Sequence, residues 1–249
     1  MIDQFGRRVE YLRVSVTDKC NLRCIYCMPL EGLTWLKRDE LLDYEEIETV
    51  IRTMAGMGLR RVRITGGEPL IRRDLPDLIR KISAIREIED LSLSTNAVLL
   101  ADQAQELKDA GIQRLNISLD SLQQERVDEI ARRPGSFPKI FEGLEAAERV
   151  GFTPIKVNVV LIRDRNDDEI EDFARITKER PWHVRFIEVM PTGSNLDLSA
   201  NSFVSCQEAL RRVRAMDKLE HQLTGPSGMV LQTTIDSRVH LAPSELSLR

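Results

Sequence analysis

Cysteine is scarce in this sequence, with four in 249 residues. Long apolar runs are missing too: none approaches the roughly 18 residues that a membrane-spanning helix needs. The opening Met-Ile-Asp-Gln-Phe-Gly-Arg-Arg lacks the apolar stretch of a signal peptide. Few cysteines and no export signal make the reducing cytoplasm the expected compartment. Excess positive charge is also absent. A net charge of −4 argues against a protein that coats nucleic acid, so neither nucleic acid nor membrane is expected as a partner, and an anionic ligand would have to be met by local basic residues. No low-complexity segment occurs, and no repeat beyond an alternation of strand and helix patterns.

The cysteines that are present are concentrated. Cys20-Asn21-Leu22-Arg23-Cys24-Ile25-Tyr26-Cys27 holds three of the four, spaced C-x3-C-x2-C, and the fourth is Cys206. Three thiolates in one short loop can hold three corners of a cubane iron–sulfur cluster, leaving the fourth iron open to a chelating ligand. A structural zinc site is the competing reading, but it usually brings a second ligand pair, and His183 and His221 lie far along the chain. The isolated Cys206 reads as a small buried hydrophobe.

From Tyr11 to Met190, β-branched runs alternate with amphipathic segments. Strands are expected at Leu12–Val16, Arg61–Thr65, Leu91–Thr95, Arg114–Leu119, Ile155–Ile162 and Val184–Val189. Helices are expected at Tyr44–Met57, Leu75–Ile85, Ala101–Ala110, Gln124–Ala131, Pro138–Val150 and Asp168–Lys178, with Gly58, Gly111 and Gly151 placed as C-terminal caps of three of them. Such alternation predicts an α/β fold with a parallel sheet. Six units of about 30 residues are too few to close a (β/α)8 barrel, which predicts a partial, open (β/α)6 TIM-type barrel with a short C-terminal extension. A doubly wound flat sheet is the alternative. On five strands one face is polar: Arg13 and Ser15; Arg61, Arg63 and Thr65; Ser92 and Ser94; Asn116 and Ser118; Lys156 and Asn158. Strands buried on both sides read as continuous apolar runs, so a sheet around a cavity for a polar ligand is expected.

Thr65-Gly66-Gly67-Glu68-Pro69 follows the second strand, where such folds place their sites. The glycines would let backbone approach a ligand, although the stretch also reads as a plain turn. Asp120 would cap the next helix or touch a ligand. After Met190, Pro191–Asn195 reads as a loop and Ser205-Cys206-Gln207-Glu208 as a capping box opening a short helix. Gly225-Pro226-Ser227-Gly228 reads as a break, and Met229–Ile235 as a further strand.

The cysteine spacing, Gly-Gly-Glu-Pro and the six-unit alternation together resemble the radical S-adenosylmethionine (SAM) superfamily. Longer stretches are similar to the GTP 3′,8-cyclase family of molybdenum-cofactor (molybdopterin) biosynthesis. They are Phe5-Gly6-Arg7, Leu12 to Asn21, Tyr26-Cys27-Met28-Pro29, Arg63 to Leu70, Lys156 to Val160 and Arg185-Phe186-Ile187-Glu188. The resemblance implies a core over residues 5–190 and a truncated or divergent region over 191–249. It implies a lyase that cyclises GTP through a 5′-deoxyadenosyl radical made from SAM. One 4Fe-4S cluster would sit on Cys20, Cys24 and Cys27. Tyr26, Gly67, Ser118 and Met190 would contact SAM, and Arg13, Arg63, Ser94 and Lys156 would contact GTP. Flavodoxin or ferredoxin would donate the electron, and a homodimer is compatible with the resemblance. The family commonly has threonine where Ser94 stands and Asn-Gly where Asn96-Ala97 stands. Its second, C-terminal cluster has no counterpart here, because no cysteine follows Cys206. Without that cluster, a truncated copy that cleaves SAM without cyclising GTP at a useful rate is one alternative to the cyclase reading. A different radical SAM enzyme sharing the core, or a defunct copy, is another.

Overall fold

The computed structural model describes residues 2–29, 31–190 and 200–216, together with three short strands at 220–223, 231–234 and 238–241. Strands and helices alternate as the sequence predicts. They run β1 (Tyr11–Ser15), α1 (Tyr44–Gly56), β2 (Arg61–Thr65), α2 (Leu75–Ser83), β3 (Asp90–Thr95), α3 (Leu100–Ala110), β4 (Arg114–Ser118), α4 (Gln124–Ile130), α5 (Ser136–Arg149), β5 (Ile155–Leu161), α6 (Ile170–Glu179), β6 (Trp182–Glu188) and α7 (Cys206–Met216). The six main strands lie in sequence order in the sheet, where β1 pairs in parallel with β2, β2 with β3, and β5 with β6. This is the (β/α)6 arrangement. No helix among the described residues is long and apolar enough to cross a membrane.

The C-terminal stretch does more than extend the chain. β9 (Arg238–Leu241) pairs parallel to β6, and β8 (Leu231–Thr234) joins β9 and β7 (Glu220–Leu223) by antiparallel pairing. The expected strand at Met229–Ile235 is realised as β8. The loop expected at 191–195 and the break at 225–228 lie outside the described residues.

The chain divides into two compact units. The first contains Met1–Asn21, Thr34–Asn116 and Lys139–Phe152. Its helices bury one stripe each at i, i+3/i+4 spacing: Ile47, Ile51 and Ala55 on α1; Leu75, Leu78, Ile79 and Ile82 on α2; Leu100, Ala104, Leu107 and Ala110 on α3. Asp43 caps α1 in a capping box closed by Glu46. Gly58 and Gly111 take the positive φ expected of C-terminal caps.

The second unit contains Leu22–Leu33, Ile117–Pro138 and Thr153–Arg249. β5 alternates strictly, with Ile155, Val157, Val159 and Leu161 buried and Lys156, Asn158 and Val160 half-buried. β6 does the same, which resolves its ambiguous sequence: Trp182, Val184 and Phe186 face the core, and His183 and Arg185 share the other face. Phe173 of α6 meets Phe186 edge-to-face, with ring centroids 6.2 Å apart. Arg163 grips both oxygens of Glu208 at 2.8 and 2.6 Å, tying α7 to the chain just beyond β5. That grip alters the expected capping box. Glu208 N still donates to Ser205 Oγ at 3.1 Å, but the carboxylate turns to Arg163, because a bidentate ion pair outcompetes a bond to one backbone amide.

Candidate active site

The cysteine loop has no regular secondary structure and is fixed by its flanks. Leu22 and Met28 are buried on either side of Cys24 and Cys27. Arg23 N and Ile25 N donate to the carbonyls of Ala131 and Ile130, each at 3.0 Å, and Arg132 donates to Met28 O at 3.0 Å. The loop turns on itself where Cys27 N and Met28 N both reach Cys24 O. None of the four cysteines is in a disulfide; Cys27 is exposed, Cys20 and Cys24 are half-buried, and Cys206 is buried. Cys20 belongs to the first unit, Cys24 and Cys27 to the second. Among the described residues, no three His, Cys, Asp or Glu side chains are grouped as metal ligands. The donor set itself suits soft iron: three thiols, none oxidised to a disulfide, on a loop whose ends are held while its sulfurs stay accessible.

Gly66 and Gly67 do something the sequence reading missed. They bring backbone close to backbone, and the partner is the arm leading into Cys20. Gly67 N donates to Thr17 O at 2.7 Å, and Glu68 N to Lys19 O at 2.8 Å. A Cβ on Gly67 would lie 2.2 Å from Lys19 O, and one on Gly66 2.6 Å from Thr17 O. Glu68 is only 1% exposed. It accepts from Leu70 N at 3.0 Å, Thr95 Oγ1 at 2.7 Å and Asn96 N at 2.7 Å. Burial pushes its carboxyl above the ordinary range, and those three hydrogen bonds oppose the shift. Glu68 is thus a buried tie between the ends of β2 and β3.

Asp120 is neither a helix cap nor a surface carboxylate. Tyr26 Oη donates to its Oδ2 at 2.8 Å, and Val160 N to its Oδ1 at 2.8 Å. It therefore ties the cysteine loop to the end of β5. Burial raises its pKa from 3.8 to about 6, against the pull of both hydrogen bonds, and burial likewise raises the Tyr26 phenol well above its usual value. Asn166, fully buried, donates to Asp120 O and Val160 O and accepts from Ile162 N. Glu169 accepts from Ser121 Oγ, Leu122 N and Arg126. Thr95, Asn166 and Glu169 were not singled out from sequence, and Asn96 entered only as part of Asn96-Ala97. Their advance signal is a polar side chain at or after the end of a strand.

Of the residues assigned by resemblance to GTP, Arg13 and Arg63 are register partners on β1 and β2, and Arg63 faces Ser92 on β3. Arg13 Nε reaches Tyr11 Oη at 3.2 Å, and the Arg63 guanidinium lies 5.3 Å from the Tyr11 ring centroid. Adjacent parallel strands thus set two guanidinium groups side by side, an arrangement that favours an anion. Ser94 lies half-buried near the end of β3, and Lys156 on β5 is the register partner of His183. Of those assigned to SAM, Gly67 and Tyr26 are described above. Ser118 ends β4, half-buried, and Met190 lies exposed two residues after β6. Cys206 donates to Phe186 O, and burial pushes its thiol up to about 12. That is the buried cysteine expected.

The family model of the radical SAM superfamily matches residues 14–176, almost two-thirds of the sequence. The chain belongs to the radical SAM superfamily. Such proteins carry a 4Fe-4S cluster and use SAM. Among curated relatives, a GTP 3′,8-cyclase of Listeria monocytogenes is 53% identical over 191 residues, covering 77% of this chain and 57% of that protein. One of Clostridium botulinum is 46% identical over 212 residues, covering 85% and 66%. The radical SAM chain thus spans about three-fifths of the length of these relatives. Solved structures share its fold at low identity. They include SuiB of Streptococcus suis bound to S-adenosylmethionine (TM-score 0.65, 17% identity, 83% of this chain and 46% of that one) and HydG, a maturase of the [FeFe]-hydrogenase (TM-score 0.63, 15% identity, 82% and 48%).

Proposed function

We propose that this chain is a radical SAM enzyme of molybdenum-cofactor biosynthesis that acts on GTP as a 3′,8-cyclase. The observation that carries the reading is 53% identity to a named GTP 3′,8-cyclase over 191 residues, 77% of this chain. Residues 5–190 form the radical SAM core and 191–249 a divergent C-terminal region. The enzyme works in the cytoplasm with a small reductant such as flavodoxin or ferredoxin.

Cys20, Cys24 and Cys27 would hold the 4Fe-4S cluster, which together with SAM would supply one-electron radical chemistry. Tyr26, Gly67, Ser118 and Met190 hold SAM. The Tyr26–Asp120 bond fixes the loop on which the ring stands. Arg13 and Arg63 hold the triphosphate, with Lys156 and Ser94 as further contacts. Neighbouring guanidinium groups attract anionic oxygens in a chain whose net charge is otherwise unfavourable to them.

The test is GTP binding by calorimetry on the anaerobically reconstituted chain, followed by reaction with dithionite, SAM and GTP deuterated at the ribose 3′ carbon. GTP should bind, and Arg13→Ala or Arg63→Ala should each weaken it about tenfold or more, as loss of a charge-assisted hydrogen bond does. Deuterium should appear in 5′-deoxyadenosine. If 5′-deoxyadenosine forms but GTP neither binds nor gives up deuterium, GTP is not the substrate. If no 5′-deoxyadenosine forms, the enzymatic reading falls.

A further inference from the structure

Next to the cysteine loop stands a side-chain amide whose orientation leaves no freedom. Asn96 follows β3 and is buried. Its Oδ1 accepts from Val98 N at 3.1 Å. Its Nδ2 therefore points the other way, where it donates to Asn21 Oδ1 at 2.7 Å and to Cys20 Sγ at 3.7 Å. The two ends of an asparagine amide are told apart by their partners, and here a backbone donor on one end settles which is nitrogen. The backbone of Asn96 is fixed as well. Glu68 Oε2 accepts its N–H at 2.7 Å, while Thr95 Oγ1 donates to Glu68 Oε1 and accepts from Ala97 N at 3.0 Å. The next residue, Ala97, sits at φ 62, which turns the chain back and aims the Asn96 side chain.

We propose that Asn96 is a tuning residue: its side-chain N–H donates to the sulfur of the cluster ligand Cys20 and raises the reduction potential of the cluster. The proposal rests on the assignment of Cys20 as an iron ligand. A thiolate bound to iron carries negative charge, and reduction of the cluster adds more of it. A hydrogen bond to that sulfur therefore stabilises the reduced state more than the oxidised one. Glu68 serves the same end at one remove, because its two oxygens hold Thr95 and Asn96 in place.

The experiment compares the wild-type chain with Asn96→Leu, which keeps the volume and removes the donor. Both are reconstituted anaerobically and titrated potentiometrically, with the reduced cluster followed by electron paramagnetic resonance. Iron content and the spectral change on adding SAM are recorded alongside. The expected result is about four irons per chain in both, with the variant's midpoint shifted to more negative potential. An unchanged midpoint at equal iron content overturns the proposal. Should Asn96→Leu fail to hold iron, the wild-type chain decides by itself. With 15N-asparagine, pulsed resonance of the reduced cluster should show a nitrogen coupling that persists in Asn21→Ser, and its absence overturns the proposal. If the wild-type chain takes up no iron, it is the ligand assignment underneath that has failed.

Discussion

Among the described glycines, Gly67 is where alanine brings the Cβ closest to other atoms. The Cβ would sit 2.2 Å from Lys19 O, 2.5 Å from Lys19 C and 2.6 Å from Asp18 O, all backbone atoms that no rotamer change can move aside. Restoring ordinary contact requires a backbone shift of about 1 Å, and overpacking of this kind costs about 1–3 kcal/mol. The shift also breaks or stretches the bonds from Gly67 N to Thr17 O and from Glu68 N to Lys19 O, each worth about 0.5–1.5 kcal/mol. Together the loss is about 2–6 kcal/mol, a lowering of Tm on the order of 10 °C for a chain of this size. The disturbed arm leads directly into Cys20, so iron retained after anaerobic reconstitution should fall as well. Gly56→Ala is the control, since its Cβ meets nothing within 4 Å at the exposed end of α1; it should be neutral or stabilise by up to about 1 kcal/mol. Thermal unfolding and iron analysis of both variants check this. A Gly67→Ala protein that melts within about 2 °C of wild type and keeps its iron would refute the argument.

Three other outcomes follow from particular contacts. The folded-state pKa of Asp120 is raised from 3.8 to about 6, so the folded chain holds a proton that the unfolded chain releases. Stability should fall as pH rises from about 4 to about 6, by on the order of 2–3 kcal/mol, and denaturant titrations across that window should show this part of the slope removed in Asp120→Asn. Phe173→Ala, which empties one side of the edge-to-face pair with Phe186, should cost about 3–5 kcal/mol in urea unfolding. Ala97→Gly relieves a left-handed backbone at φ 62, worth about 1–2 kcal/mol. It also loosens the unfolded chain and removes a buried methyl, each worth about 0.5–1 kcal/mol, so its Tm should stay within a few degrees of wild type.

The elements were legible in the sequence because the periodicities are strong. β2 was read with both ends correct, and helix starts at Tyr44, Leu75 and Gln124 were placed without error. The polar strand faces were legible for the same reason, as Arg13 and Arg63 show by standing in register. Long-range pairings that decide what a loop residue does were not legible. Gly67 reads as bringing backbone to a ligand, and its approach to the backbone of Asp18 and Lys19, about fifty residues earlier, carries no local signal. Asp120 reads equally as a cap or a ligand contact, and its hydrogen bond from Tyr26, 94 residues away, has no local signal. Glu208 had the spacing of a capping box, but its carboxylate is taken by Arg163 from across the unit. In each case local sequence sets what a residue can do, and the fold selects the partner.

The central claim is that three cysteines of this chain hold a 4Fe-4S cluster with one iron open to SAM. It is tested most directly by adding SAM to the reduced, anaerobically reconstituted protein and recording its electron paramagnetic resonance spectrum, with iron counted in wild type and in Cys24→Ala. About four irons per wild-type chain, a spectrum changed by SAM, and loss of the cluster in Cys24→Ala are expected. An unchanged spectrum at saturating SAM, or a Cys24→Ala protein that keeps its iron, would contradict that claim.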